Sequence, residues 1–243
     1  MRVTYLGVGE AFDTELANTS LLVETAGSTI LLDCGYSVPQ QFWRRVQDPE
    51  KLDAVYLTHQ HADHYLGIPA LLVRFFEDGR KKPLVVCGHP ALAEAASGLL
   101  DLAFPNLREK FTYAVRFVGF TDSLSIGDAT LRIAQAEHPV PNCAVRVSAS
   151  GKALCYSGDG TPTPATEKLF AGADLLAHEA FKREEEKFGH GSMRAVKALA
   201  TKLGLRDVDL VHINRTVRRQ VKENAAFVKG WARIPEQGES RTL

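Results

Sequence analysis

The chain has 243 residues, 45% of them hydrophobic, with 29 Lys+Arg balanced by 29 Asp+Glu. That length fits one large domain or two small ones and supplies a sizeable core. A net charge of zero removes any global pull toward nucleic acid or an anionic membrane, while leaving room for a local basic patch. The cysteines Cys34, Cys87, Cys143 and Cys155 are scattered through apolar stretches without a Cys-x-x-Cys pair, which points to a reducing compartment. The start lacks the apolar segment of a signal peptide, and no apolar run is long enough to cross a bilayer. A cytoplasmic protein without membrane attachment is expected.

In chain order, a strand runs from Met1 to Gly7. Ser20 to Glu24 and Thr29 to Asp33 flank Ala26-Gly27-Ser28 as a hairpin. A short helix over Gln40 to Val46 precedes a strand over Leu52 to Leu57. Ile68 to Phe76 is apolar enough for a helix stopped by Gly79, Pro83 to Cys87 reads as a strand, and the Ala- and Leu-rich Pro90 to Leu102 as a helix. Val115 to Phe120 and Ala129 to Gln135 are strands around the turn signal Ser125-Ile126-Gly127-Asp128. Cys143 to Ser148 and Ala153 to Ser157 flank Ala149-Ser150-Gly151-Lys152 as a second hairpin. Thr166 to Phe170 is helical, Asp174 to His178 a strand, and Ser192 caps a helix reaching Leu203. A strand over Asp209 to Ile213 and a helix over Gln220 to Trp231 follow. The polar tail 235–243 is expected to fray, and Lys182 to Lys187 mixes both signs as a solvated segment. With no linker or repeat, one domain over 1–243 is expected. Two hairpin-rich blocks, each followed by helices, favour a pair of sheets with helices outside over a purely parallel sheet.

The chemistry concentrates in His59-Gln60-His61-Ala62-Asp63-His64, directly after the apolar run Ala54-Val55-Tyr56-Leu57. Four candidate ligands at a strand end fit zinc, with a carboxylate available for a second site beside the first. Further ligands are sought just beyond other strands, where loops gather at one rim. His138, Asp159 and His212 qualify. Taken singly, a His beside an apolar strand is more often a hydrogen-bonded core residue, and an Asp after Gly a turn residue.

With these residues the chain resembles the metallo-β-lactamase superfamily, and within it the ribonuclease Z-like branch. The branch features are Tyr156-Ser157-Gly158-Asp159, His178-Glu179-Ala180-Phe181, Gly189-His190-Gly191-Ser192, Asn18-Thr19-Ser20 and Leu31-Leu32-Asp33-Cys34-Gly35. The resemblance implies a four-layer αββα sandwich with the site at one rim. It assigns His59, His61 and His138 to one metal, Asp63, His64 and His212 to the other, and Asp159 to a bridge between them. Two zinc ions are expected, with manganese or iron as alternatives, and a shared hydroxide would be a strong nucleophile at neutral pH. Asp63, Glu179 and His190 make up the catalytic set, with His190 giving a proton to the departing alkoxide and Glu179 orienting it. A solvent-facing loop is the alternative for His190.

Other residues leave choices open. Asp33 either accepts the second N–H of a ligand histidine or caps the hairpin. The amides of Gly191-Ser192-Met193 open a helix and are candidates for a phosphate oxygen. Arg215 either pairs with an anionic substrate or forms a surface salt bridge. His178 and His89 stand outside the metal shell.

The resemblance breaks in two places. Ribonuclease Z enzymes that process transfer RNA usually carry a long flexible arm between the late His ligand and the bridging Asp, whereas only a hairpin separates His138 from Asp159. Ile213-Asn214-Arg215 also replaces the more usual Phe-Ser-x-Arg. Together with neutral charge, this favours a dinuclear metal-dependent phosphodiesterase acting on a small-molecule or short nucleotide substrate, with long RNA a poor fit. The alternatives are a ribonuclease Z-type RNA endonuclease, a lactone, thioester or sulfate-ester hydrolase, and a non-catalytic metal-binding module. A homodimer follows from family resemblance only.

Overall fold

The computed structural model describes residues 1–184 and 189–243. Alternation at period two divides the core. In β1 (Arg2–Gly7), β2 (Ser20–Glu24) and β3 (Thr29–Leu32), the residues Val3, Tyr5, Leu21, Val23, Ile30 and Leu32 face the opposite sheet. Leu6, Leu22 and Leu31 face helices instead. These strands join β4 (Ala54–Tyr56), β5 (Leu84–Gly88) and β6 (Val115–Gly119) in a sheet that turns from antiparallel to parallel at β3. The second sheet holds β7 (Ser123–Ile126), β8 (Ala129–Ala136), β9 (Asn142–Ala149), β10 (Lys152–Tyr156), β11 (Leu175–Glu179) and β12 (Val208–Val211), in the order β12-β11-β10-β9-β8-β7.

One apolar core fills the space between the sheets. A second lies under α1 (Val38–Arg45), α3 (Ile68–Glu77) and α4 (Pro90–Ala103). Two smaller ones lie under α5 (Pro164–Phe170) and α6 (Met193–Leu203) on the far side. This is the αββα sandwich. The parallel strands β4, β10, β11 and β12 all run toward the same rim, and their C-terminal loops collect there. No helix of the described residues is long and apolar enough to cross a membrane.

Several expected elements are corrected. The tail does not fray: β13 (Ser240–Thr242) pairs antiparallel with β1, and the buried Asp209 accepts hydrogen bonds from Tyr5 and Arg241, tying the tail to both sheets. The last helix is α7 (Arg215–Glu223) rather than Gln220 to Trp231, because the Asn214 side chain accepts the Thr216 amide and starts the helix earlier. The signal at Ser125 to Asp128 conceals strand β7, which runs to Ile126 before Gly127 turns with φ 55°. A short helix, α2 (Ala62–Tyr65), sits inside the histidine motif. Of the mixed-sign run, Glu185 to Lys187 fall outside the described residues.

Two polar anchors give direct tests. Arg80 is 0% exposed, and its guanidinium donates to the carbonyls of Pro49, Leu52, Lys82 and Pro83. Arg80→Met leaves those carbonyls without a donor and should lower the unfolding free energy by about 3 kcal/mol or more. Urea denaturation reads this directly, and a change under about 1 kcal/mol would mean water replaces the donor.

Arg218 of α7 is buried and bonds the Asp13 carboxylate, pinning the loop after β1. Burial acts to raise the Asp13 pKa, yet the Arg218 bond and the amides of Glu15 and Leu16 hold it below the ordinary value. The unfolded chain therefore takes up this proton more readily than the folded one. The pair's contribution is present above about pH 3.9 and is lost as pH falls through the lower folded value. Asp13→Asn should thus be destabilising at pH 7, and its deficit should shrink steadily below about pH 4. A deficit independent of pH in acid denaturation would contradict this.

Candidate metal centre

The motif splits into two geometries because the backbone changes conformation within it. His61 is extended, with φ −84° and ψ 149°, and caps α2. The extended stretch sends His59 and His61 toward one centre, and the helical turn sends Asp63 and His64 toward another. His138 follows β8, Asp159 follows β10 between Gly158 and Gly160, and His212 follows β12. Both glycines have positive φ, 59° and 126°, and a side chain at Gly158 would strike Asn142 and Thr58. His212 itself has φ 51° and Asp33 φ 60°, conformations costly for residues with a Cβ and held here by their surroundings.

Two ligand groups draw on the motif, His59/His61/His138/Asp159 and Asp63/His64/Asp159/His212, and a third, Asp159/Glu179/His190/His212, adjoins them; within each the donor atoms lie within 4.8 Å of one another. His61 Nδ1 lies 3.1 Å from His59 Nε2 and 3.2 Å from His138 Nε2. Ligands bound at about 2.0–2.1 Å to a tetrahedral zinc are about 3.3 Å apart, so the spacing fits. In the second group Asp63 Oδ2 is 3.1 Å from both His64 Nε2 and His212 Nε2. Asp159 spans the two, 3.4 Å from His64, 3.6 Å from His212 and 3.8 Å from His59.

In three of the histidines the other ring nitrogen is engaged elsewhere, which aims the donor inward. His64 Nδ1 donates to Asp33 at 2.7 Å, His138 Nδ1 to the Gly189 carbonyl at 2.9 Å, and His59 Nδ1 lies 3.0 Å from Thr58 Oγ1. His64 Nε2 and Asp159 Oδ1 are buried with no hydrogen-bond partner. Such orphaned atoms, facing one another, are what a cation would satisfy.

Electrostatics separate the groups. Burial holds the pKa of His59, His61 and His138 below the usual histidine value, with neighbouring imidazoles adding to the effect, so they stay neutral and able to ligate. Burial works against charge at His64 and His212 too. There Asp159 and Asp63 prevail, raising His64 well above its ordinary value and His212 to about 9. The second group therefore demands positive charge. The residues fit a pair of divalent cations.

Glu179, at the end of β11, is fully buried. It accepts the amides of Gly160 and Gly191 and faces His190 Nδ1 at 3.2 and 3.3 Å. Burial opposes charge on His190, but the Glu179 hydrogen bond and charge raise its pKa. Burial and the Asp159 charge push Glu179 up as well. Phe181 stacks on the His190 ring at 4.7 Å.

Three smaller expectations are resolved. Gly191 and Met193 spend their amides on Glu179 and the Lys182 carbonyl, so that helix start is not an open phosphate cradle. Arg215 pairs with the buried Glu10, which is the salt-bridge reading. Asp33 serves His64 rather than the hairpin. His178 donates to the Glu179 carbonyl, with burial lowering its pKa to about 4, and neither His178 nor His89 enters a ligand group among the described residues. Sequence reasoning gave no role to Thr58 or Tyr156, both of which bond Asp33. No spacing rule connects positions so far apart.

Sandwich and ligand groups together define a metal-dependent hydrolase of the metallo-β-lactamase fold, related to ribonuclease Z. The structure of YhfI from Bacillus subtilis, a metallo-β-lactamase fold protein, superposes with a TM-score of 0.82 at 25% identity over 99% of this chain and 98% of that one. More particularly, the chain belongs to the family described as Anti-Pycsar protein Apyc1, whose model matches residues 1–233. Ribonuclease Z of Methanosarcina acetivorans is 28% identical, covering 88% of each chain, and that of Mycobacterium marinum 30%, covering 76% of this chain and 72% of its own. The human tRNase Z short form, 20% identical over 100% of this chain and 99% of its own with a TM-score of 0.82, shares the fold.

Proposed function

We propose that this hydrolase is a dinuclear, zinc-dependent phosphodiesterase acting on a small or nucleotide-like substrate. The observation that carries this is the convergence of seven ligands with a buried carboxylate–imidazole pair on one flank of the same site. His59, His61 and His138 would hold one zinc and Asp63, His64 and His212 the other, with Asp159 between. Two such cations would lower the pKa of an intervening water toward about 7 and stabilise charge on the phosphate. Asp63 would also accept a proton from the attacking water. Glu179 fixes the His190 ring through Nδ1, leaving Nε2 without a protein hydrogen-bond partner among the described residues and free to protonate the leaving alkoxide. Phe181 limits the ring's rotation. The buried, unpaired cysteines agree with a reducing, cytoplasmic setting.

A second reading, an RNA endonuclease of the ribonuclease Z type, draws the stronger support from similarity, since both curated relatives above carry that name. Against it stands the connection from His138 to Asp159, taken up by the β9–β10 hairpin and its tight turn. The alignment with the Methanosarcina relative runs over 267 positions, more than the 243 residues of this chain, so the relative has stretches without counterpart here.

Assays on bis(p-nitrophenyl) phosphate, cyclic nucleotides and a 3′-extended transfer RNA precursor, with and without chelator, separate the readings. Metal-dependent turnover of the small diesters alone supports the first, and cleavage of the precursor at much higher kcat/KM the second. Turnover only of lactones or thioesters would sink both.

A further inference from the structure

The Asp33 carboxylate is an unusual junction. It is 0% exposed and carries four donors: the Thr58 amide at 2.8 Å on Oδ1, and on Oδ2 the Thr58 hydroxyl at 2.9 Å, His64 Nδ1 at 2.7 Å and the Tyr156 hydroxyl at 2.8 Å. Asp33 and Thr58 follow β3 and β4 of the first sheet, whereas Tyr156 ends β10 of the second. One oxygen thus bonds a ligand histidine and the opposing sheet together. Its backbone is held at φ 60°, a conformation that keeps the carboxylate turned into the junction.

We propose that Tyr156 is a positioning residue for the metal ligand His64, acting through Asp33, so that filling the Asp63/His64/His212 group and docking the two sheets are coupled events. The inference rests on the metal reading above. The Tyr156 hydroxyl shares Asp33 Oδ2 with His64 and sets where that oxygen lies, hence the plane of the imidazole and the aim of Nε2. By reciprocity, a cation that pulls on His64 Nε2 tightens the grip of Asp33 on β10.

A matched control exists within the fold. Tyr56 of β4 is equally buried, and its hydroxyl bonds the Cys143 carbonyl of β9 at 2.8 Å. Its hydroxyl crosses between the sheets in the same way without bonding the Asp33 carboxylate, and the Asp33 amide donates to the Tyr56 backbone carbonyl at 2.8 Å, a bond that phenylalanine keeps. Tyr156→Phe and Tyr56→Phe are therefore compared by titrating the apo-protein with zinc against a chromogenic chelator and by the d–d spectrum of the cobalt form.

Outer partners of ligand histidines change metal affinity by about 10–100-fold, and Tyr156 stands one bond further out. Tyr156→Phe should weaken the second zinc by about tenfold and perturb the cobalt spectrum, with a smaller effect on the first zinc, which Asp33 reaches one bond further on through Thr58 and His59. Tyr56→Phe should lower the apo melting temperature while keeping both affinities. Equal zinc affinities in the two variants and the parent would overturn the proposal, and failure of the parent to bind two zinc ions would instead overturn the metal reading. Should Tyr156→Phe not fold, parent protein carrying 13Cζ-tyrosine replaces it. The Tyr156 resonance should move on zinc addition while that of Tyr56 stays, and an unmoved Tyr156 resonance overturns the proposal.

Discussion

His190→Ala is expected to lower kcat about 10²–10⁴-fold on a diester that expels a ribose alkoxide, and much less, under about tenfold, on bis(p-nitrophenyl) phosphate. The difference comes from the leaving group. An alkoxide is strongly basic and must be protonated as the bond breaks, whereas p-nitrophenolate departs without help. Only a group aimed at the leaving oxygen yields such a split, since a purely structural histidine would depress both substrates alike. Glu179→Gln adds a second signature. The Glu179 carboxylate raises the His190 pKa, so its loss should move the alkaline limb of the kcat profile to lower pH. Equal losses on both substrates with an unmoved limb would show that the pair does not act as the acid.

Asp159→Ala carries the other large effect. Its carboxylate lies within 3.8 Å of His59, His64 and His212, and without it two cations would face each other unscreened. Bound metal should fall from about two per chain toward one, and turnover by about 10³-fold or more, since metal charge supplies several kcal/mol to the transition state. Removing all metal should also loosen the fold. Asp33, Asp63, Asp159 and Glu179 are all buried around the site, and a cation present at about 1,000 times its Kd contributes about 4 kcal/mol. For a chain of this size a chelator should therefore lower Tm by roughly 10 °C. Elemental analysis and calorimetry check both halves. An unchanged Tm with chelator and two metals retained by Asp159→Ala would refute the bridging role.

The two kinds of information in this molecule separate cleanly at particular residues. The motif from His59 to His64 was legible because both centres draw on one short stretch, where local spacing alone constrains geometry. His138, Asp159 and His212 were found by a weaker rule, strand ends collecting at one rim, and the rule works because parallel strands put their loops at the same edge. The rule stated nothing about order within the rim. It could not foresee that a short helix at Ala62 parts the two ligand groups, or that Glu10 occupies Arg215.

What the chain by itself determined is the motif from His59 to His64 and the alternation that pairs two sheets, because both depend on residue type and short-range period, while Glu179 and His190 stood out only through the family resemblance. Only the tertiary structure decided how those ligands are held. Asp33 choosing His64 over the hairpin, Tyr156 reaching across from the second sheet, and the tail closing on β1 all join positions far apart in sequence. Those contacts form because burial leaves each polar group only the partners that packing brings within reach, and packing is a property of the whole fold.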